Sequence, residues 1–200
     1  MPANQGERAR RRLSTEERRE QLLSVGARLF SESPYDDVWI EQVAEIAGVS
    51  RGLLYHYFPT KRDFFAAVVE RESERMLRLT AAVPGVPVRE QLAAGIDTYL
   101  AYVHAHAHGF RAFHRADAAG DQAVRRVYRR ALAAQEQQIL AALAADPEFG
   151  SCEGAPQVRL AVRGWLAFTT AVCLEWLREG EPTREQVRDL CARALLGVIA

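Results

Sequence analysis

WIEQVAEIAGVSRGLLYHYFPTK, residues 39–61, reads as a short helix, a tight turn and a second short helix, the shape that lays a helix in the major groove of DNA. Ile40, Val43, Ala44 and Ala47 recur at helical spacing and form one apolar face. Gly48 follows directly and can take the positive φ that ends a helix. Val49 plugs the turn, and Ser50 is placed to cap the next helix. That second helix, from about Arg51 to Phe58, turns Leu54 and Phe58 inward. Arg51, Gly52, Leu53, Tyr55, His56 and Tyr57 are left wholly or partly outward, Pro59 stops the helix, and Lys61 opens the next segment. An exposed Arg-Gly-Leu followed by Tyr-His-Tyr exceeds what packing requires and reads as a contact surface.

Working outward, Ser14 or Thr15 with the following glutamates marks a helix start, and that helix runs to about Phe30 with Leu22, Ala27 and Phe30 on it. Ser33 to Asp37 form a loop, in which Asp37 is a candidate cap for the first short helix. From Lys61 a longer amphipathic helix carries Phe64, Phe65, Val68, Val69, Met76 and Leu79. It ends before Pro84-Gly85-Val86-Pro87, the clearest break in the chain. Beyond it no run alternates apolar and polar residues, so the region is predicted all-helical, with helices at about 88–107, 109–119, 121–145, 156–179 and 183–199. Trp165 to Leu177 is apolar almost all round and needs cover on more than one side. The last helix adds a stripe of Val187, Leu190, Ala194, Leu195 and Val198. Two such helices from each of two subunits would make an isologous four-helix interface.

The formal net charge is +0, so any DNA binding rests on local placement of charge and not on a global field. Arg8, Arg10, Arg11 and Arg12 make one local excess ahead of the first helix. This arm reads either as a reach to phosphates or the minor groove, or as a solvated tail. No apolar run approaches the ~18 residues of a membrane span and the N-terminus has no apolar leader segment, so a cytoplasmic protein is expected. Cys152, Cys173 and Cys191 are odd in number and widely spaced, and are expected as free thiols: Cys173 in the core, Cys152 in a loop as the better candidate for a reactive thiol.

The run AGVSRGLLYHYFPTK resembles the tetracycline-repressor (TetR) family of bacterial transcription regulators, with its Ala-Gly-Val-Ser, a small outward residue, Leu-Tyr-x-x-Phe and a Lys. The similarity extends from about Glu16 to Glu70. It implies an all-α chain: a basic arm over 1–14, a three-helix helix-turn-helix DNA-binding domain over 15–62, a connecting helix over 63–83, and a helical bundle over 84–200 for ligand binding and dimerisation. It implies that Ser50, Arg51, Gly52, Leu53 and Tyr55 lie at the DNA, with His56, Tyr57 and Lys61 on the phosphate side. The chemistry agrees at several positions: Arg51 can pair bidentately with guanine, Gly52 permits close approach, and Tyr57 and Lys61 offer donors to phosphate. Tyr55 is divided between packing and contact. Two departures stand out. Val38 or Trp39 replaces the usual hydroxyl residue at the start of the first short helix, and Glu41 stands near a usual Arg. Leu53 favours a thymine methyl over a hydrogen bond.

Tyr99, Tyr102, Phe110, Phe113, Tyr128, Trp165 and Phe168 lie on helices expected to converge, with His106 as a polar tip. They form a candidate site for a small hydrophobic or aromatic effector, against the alternative of an ordinary core. His104 and His108 would share a helical face with His106 opposite, but no carboxylate or cysteine completes a metal set there, so no metal or cofactor is expected. No Ser/His/Asp order, phosphate-cradling Gly-rich loop or Glu-x-x-His pair points to catalysis. The leading expectation is a ligand-released repressor acting as a homodimer on a palindromic double-stranded DNA operator. The alternative is a helical-bundle enzyme, or a small-molecule-binding protein without operator function.

Overall fold

The computed structural model describes residues 13–150 and 155–199. The arginines of the basic arm and Cys152 lie outside the described residues. Within them the regular structure is helical: α1 (Thr15–Glu32), α2 (Ile40–Ala47), α3 (Arg51–Tyr57), α4 (Lys61–Leu79), α5 (Val88–Ala105), α6 (Ala107–Ala118), α7 (Gln122–Ala145), α8 (Pro156–Glu179) and α9 (Arg184–Ile199), with a 3₁₀ turn at Tyr35–Asp37.

Local chemistry sets the ends. The Ser14 hydroxyl accepts from the Glu17 N–H at 3.2 Å and the Glu17 carboxylate accepts from the Ser14 N–H at 2.8 Å, a reciprocal cap on α1. These bonds hold the Glu17 carboxyl below its usual range. Gly48 sits at φ 66°, and the Val49 N–H closes back on the Ala44 carbonyl at 2.9 Å. Asp37, expected to cap α2, instead lies in the 3₁₀ turn. The cap position is Trp39, whose N–H donates to Gln42 Oε1 at 3.0 Å. The reach is the reason: Asp37 lies two residues too early, where its backbone N–H closes the 3₁₀ turn on the Pro34 carbonyl at 3.1 Å.

Two apolar cores follow. The first holds Leu22, Leu23, Phe30, Val43, Leu54, Phe58, Phe64 and Phe65, but also Ala112, Phe113, Val124 and Val127 from α6 and α7. The Pro84–Pro87 break therefore divides the chain and not the core: α6 and the start of α7 close the floor of the α1–α4 unit. Arg62 crosses the same seam to pair with Asp121 at 2.8 Å. Gly26 marks where α1 crosses α4, since a Cβ there would lie 2.4 Å from the Phe64 ring. The second core gathers Leu100, Val103, Val162, Trp165, Cys173, Val187 and Leu195 from α5, α8 and α9.

Several expectations need correction. Leu79 is exposed, because it lies on the outer side of the last turn of α4, whose inner side is taken by buried Met76 and by Thr80 bonded to Gln138. Leu195 is wholly buried inside the chain and does not serve an outer face. Trp165–Leu177 is partly covered by its own chain: Trp165, Leu166, Cys173 and Trp176 are buried, whereas Leu160 and Phe168 stand out. Contrary to the sequence reading, α8 is long and apolar enough to cross a membrane by length and composition; its inner face packs in the second core. The helix breaks at His106, which ends α5 and caps α6, so His104 and His108 share no helical face.

Candidate DNA interface and ligand cavity

Helix α3 is held from beneath. Leu54 is 0 % exposed and Phe58 3 %, and the Phe58 ring meets Phe64 edge-on at 5.0 Å. The Ser50 hydroxyl accepts from the Leu53 N–H at 3.2 Å and fixes the start. This anchoring leaves Arg51, Gly52, Tyr55 and His56 exposed, with Leu53 half-buried beside them. A side chain at Gly52 would meet nothing within 4 Å, so glycine keeps that part of the surface low.

Glu41, which stands near a usual Arg, is held in place and not free. Tyr55 Oη donates to its Oε1 at 3.0 Å. Its own backbone N–H, this bond and the nearby Arg51 charge keep its carboxyl ionised below the usual range. Tyr55 is thus neither core nor free: it braces α3 against α2. Tyr57 is half-buried and donates to the Thr15 carbonyl at 3.3 Å. Lys61 Nζ lies 4.4 Å over the Tyr35 ring and 3.4 Å from the Asp36 carbonyl, and burial depresses its pKa. Contact of either with a phosphate means exchanging these bonds. The sequence reading missed Trp39, which is 68 % exposed at the start of α2; a lone large apolar residue at a cap position was the available signal.

A cavity of about 120 Å³ lies where α1, α4, α5, α6 and α7 meet. Tyr99, Tyr102, His106, Phe110, Phe113 and Tyr128 all line it. Trp165 instead lines a neighbouring cavity of about 130 Å³, with its Nε1 donating to the Cys191 carbonyl at 2.7 Å. Phe168 lines neither; it faces outward on α8, on the same side as Leu160.

Three polar groups in the first cavity were not among the expected site residues: Glu72 and Gln135, distant in the chain from most of the aromatics they join, and His114, which directly follows Phe113. Glu72 is buried with Arg71 on one oxygen, and on the other Arg75 at 3.1 Å and the Tyr102 hydroxyl at 3.3 Å. Burial raises the Tyr102 phenol, whose ring stacks on His106 at 4.0 Å. His114 sits edge-on to Phe110, Phe113 and Tyr128, and burial pulls its pKa to about 4. Gln135 completes the wall from α7. Phe30 of α1 and Phe65 of α4 also line this cavity, and both belong to the core under α3. Its contents would touch the base of the DNA-reading unit. Among the described residues no group of three His, Cys, Asp or Glu side chains could hold a metal ion.

Residues 22–68 match the family model described as bacterial regulatory proteins, tetR family, and residues 88–197 match that of the tetracyclin repressor-like C-terminal domain. The chain is 28 % identical over 108 residues to the HTH-type transcriptional activator FasR of Mycolicibacterium smegmatis, covering 53 % of this chain and 49 % of that one. It is 30 % identical over 77 residues to the HTH-type transcriptional repressor AcnR of Corynebacterium diphtheriae, covering 38 % and 40 %. It thus spans about half or less of these relatives' length. A tetR-family transcriptional regulator from Streptomyces coelicolor superposes with a TM-score of 0.81 at 28 % identity, covering 93 % of this chain and 82 % of that one.

Proposed function

We propose that this chain, which belongs to the tetR family of bacterial regulatory proteins, is a cytoplasmic homodimeric repressor that reads a two-fold-symmetric operator and leaves it when a small lipophilic molecule fills the bundle. The observation that carries this reading is α3 itself. Buried Leu54 and Phe58 hold it from beneath, while Arg51, Gly52 and His56 are exposed on its outer side. A helix so presented is suited to reading base edges, with Arg51 as the guanine donor and Leu53 against a thymine methyl.

Dimerisation follows from what α8 and α9 leave uncovered. Leu160 and Phe168 on one helix and Leu190 and Val198 on the other are exposed, at 71 %, 38 %, 41 % and 70 %. Pairing these faces about a two-fold axis sets two copies of α3 to meet successive major grooves, ~34 Å apart. A ligand in the first cavity presses on Phe30 and Phe65, which support α3 from below. If it fits best when the α3 helices are spaced for no operator, it must weaken DNA binding by the same factor that DNA weakens its own. Whether binding lowers or raises transcription depends on where the operator lies, and the relatives include both an activator and a repressor. No catalytic role is assigned to any residue.

Retention on short duplex DNA across a salt series tests the reading. Binding that weakens steeply with salt and is lost on Arg51→Ala supports it. Salt-independent or absent retention favours a small-molecule-binding protein without an operator.

A further inference from the structure

The two cavities in the bundle share a wall. Met76 of α4, Tyr99 of α5, Gln135 of α7 and Thr170 of α8 line both. Away from this waist the α1–α6 side sets Phe30, Phe65, Phe110 and Phe113 beside the polar tips of Tyr102, His106, His114 and Tyr128, and the side toward α8 and α9 sets Leu92, Ile96 and Leu166 beside Thr80, Gln91 and Gln138. The waist is where the two arms share their polar groups. Tyr99 brings a phenol, Gln135 an amide and Thr170 a hydroxyl, and none of the three has a hydrogen-bond partner among the described residues. One residue away along α8, Thr169 also lines the α8–α9 cavity, and its buried hydroxyl has no well-aligned hydrogen-bond partner among the described residues.

Polar groups turned into a protein interior are usually paired, so three half-buried ones left open where two cavities meet are a mark of ligand recognition. Among the described residues the one carboxylate in the walls, Glu72, is taken by Arg71, Arg75 and Tyr102, and no Lys or Arg lines either cavity. The lining therefore suits an uncharged ligand better than an anion or a cation.

Resting on the ligand-responsive reading above, we propose that the two cavities are arms of one site. Its ligand is an elongated, uncharged lipophile with a hydrogen-bonding oxygen at its middle. The aromatic or cyclic end lies in the arm against α1 and α6 and the aliphatic end in the arm against α8 and α9. Met76 is the movable partition: an unbranched thioether can swing aside without breaking a hydrogen bond. Tyr99, Gln135 and Thr170 then select for the central oxygen, Tyr99 and Thr170 as hydroxyl donors and Gln135 through its amide.

Hexanophenone and hexylbenzene test this, since they differ only by a carbonyl or a methylene between the ring and a pentyl chain. Calorimetric titration of the full-length protein should give hexanophenone about tenfold tighter binding, the value of one satisfied buried hydrogen bond. Tyr99→Phe with Gln135→Leu and Thr170→Val, which removes all three polar groups, should bring the two probes within about twofold by weakening hexanophenone and not hexylbenzene, with the melting temperature as the control for intact folding. Ala131→Phe, filling one arm, and Ala142→Phe, filling the other, should each weaken hexanophenone at least tenfold. Equal affinity of the two probes for the wild-type protein overturns the polar waist. Full-strength hexanophenone binding to either filled variant overturns the single spanning site. Neither result touches the regulatory reading, which is scored separately by whether a bound probe lowers affinity for operator DNA.

Discussion

His114 ties the stability of the protein to mildly acid pH. Its imidazole lies among Phe110, Phe113 and Tyr128. Burial lowers its pKa to about 4 from the ordinary 6.5, with Asp117 pulling weakly the other way. The folded state therefore holds this group neutral where the unfolded chain protonates it. The unfolded chain binds the extra proton between about pH 6.5 and pH 4, so stability is complete above the unfolded pKa and falls as pH drops through that window. Taking the two pKa values at face value, the loss between pH 7.5 and pH 5 is about 2 kcal/mol, or ~4–8 °C in Tm for a chain of this size. The carboxylates held low, such as Glu17 and Asp146, also lose their contribution as pH falls, but mainly below the pH 5 end of the series, because their ordinary values of 4.5 and 3.8 already lie below it. Urea unfolding at pH 7.5, 6.5 and 5, at one fixed protein concentration because a dimer's stability depends on it, reads the slope. His114→Phe keeps a ring among rings and should flatten it. A His114→Phe protein with the wild-type pH slope, or an NMR titration of His114 centred near 6.5, would refute the reasoning.

Gly26→Ala should destabilise by up to about 2 kcal/mol in thermal unfolding. The added Cβ would lie 2.4 Å from the Phe64 ring and 2.9 Å from Val68 Cγ2, an overpacking cost of ~1–3 kcal/mol against ~1 kcal/mol of regained helix propensity; a stabilising outcome would mean α1 and α4 are not so tightly crossed. Phe168→Glu with Val198→Glu should convert a dimer into a folded monomer in light scattering, whereas Leu195→Glu should unfold the protein because Leu195 is buried within its own chain; a dimer that survives the double change uses another face. With Cys152 replaced by Ser, a thiol reagent should label the native protein at a small fraction of the denatured rate. Cys173 is fully buried with its pKa pushed up to about 12, and burial raises Cys191 as well; rapid native labelling would contradict that burial.

Local pattern carried much of this fold. The short pair α2–α3 was legible because Gly48, Ser50 and Pro59 punctuate it and because Leu54 and Phe58 fall on one side of a helix. What a single stretch could not reveal was tertiary. Glu41 looked like a defect in a DNA-binding surface until Tyr55, distant by almost four helical turns of sequence, closed on it. Asp37 had cap chemistry, yet the backbone turned into a 3₁₀ turn there, and Trp39 took the cap position. The aromatics of α5, α6 and α7 could be placed together from their helical spacing. That Trp165 faces a second cavity, and Phe168 faces out, depends on the rotation of α8, which periodicity cannot set for a helix apolar on nearly every side. Glu72 and Gln135 are ordinary polar residues in amphipathic helices; only packing shows that they turn inward.

The central claim is that α3 reads DNA sequence through its exposed face. Repeated selection of bound duplexes from a random pool, with the winners then titrated against wild-type and Arg51→Ala protein, measures that claim directly. The account predicts an enriched site with two-fold-related half-sites about one helical turn apart, and a loss of about 1–3 kcal/mol for Arg51→Ala with relaxed preference at one base pair in each half-site. A pool that does not enrich, or an enriched site bound equally well by Arg51→Ala with its preferences intact, would contradict it.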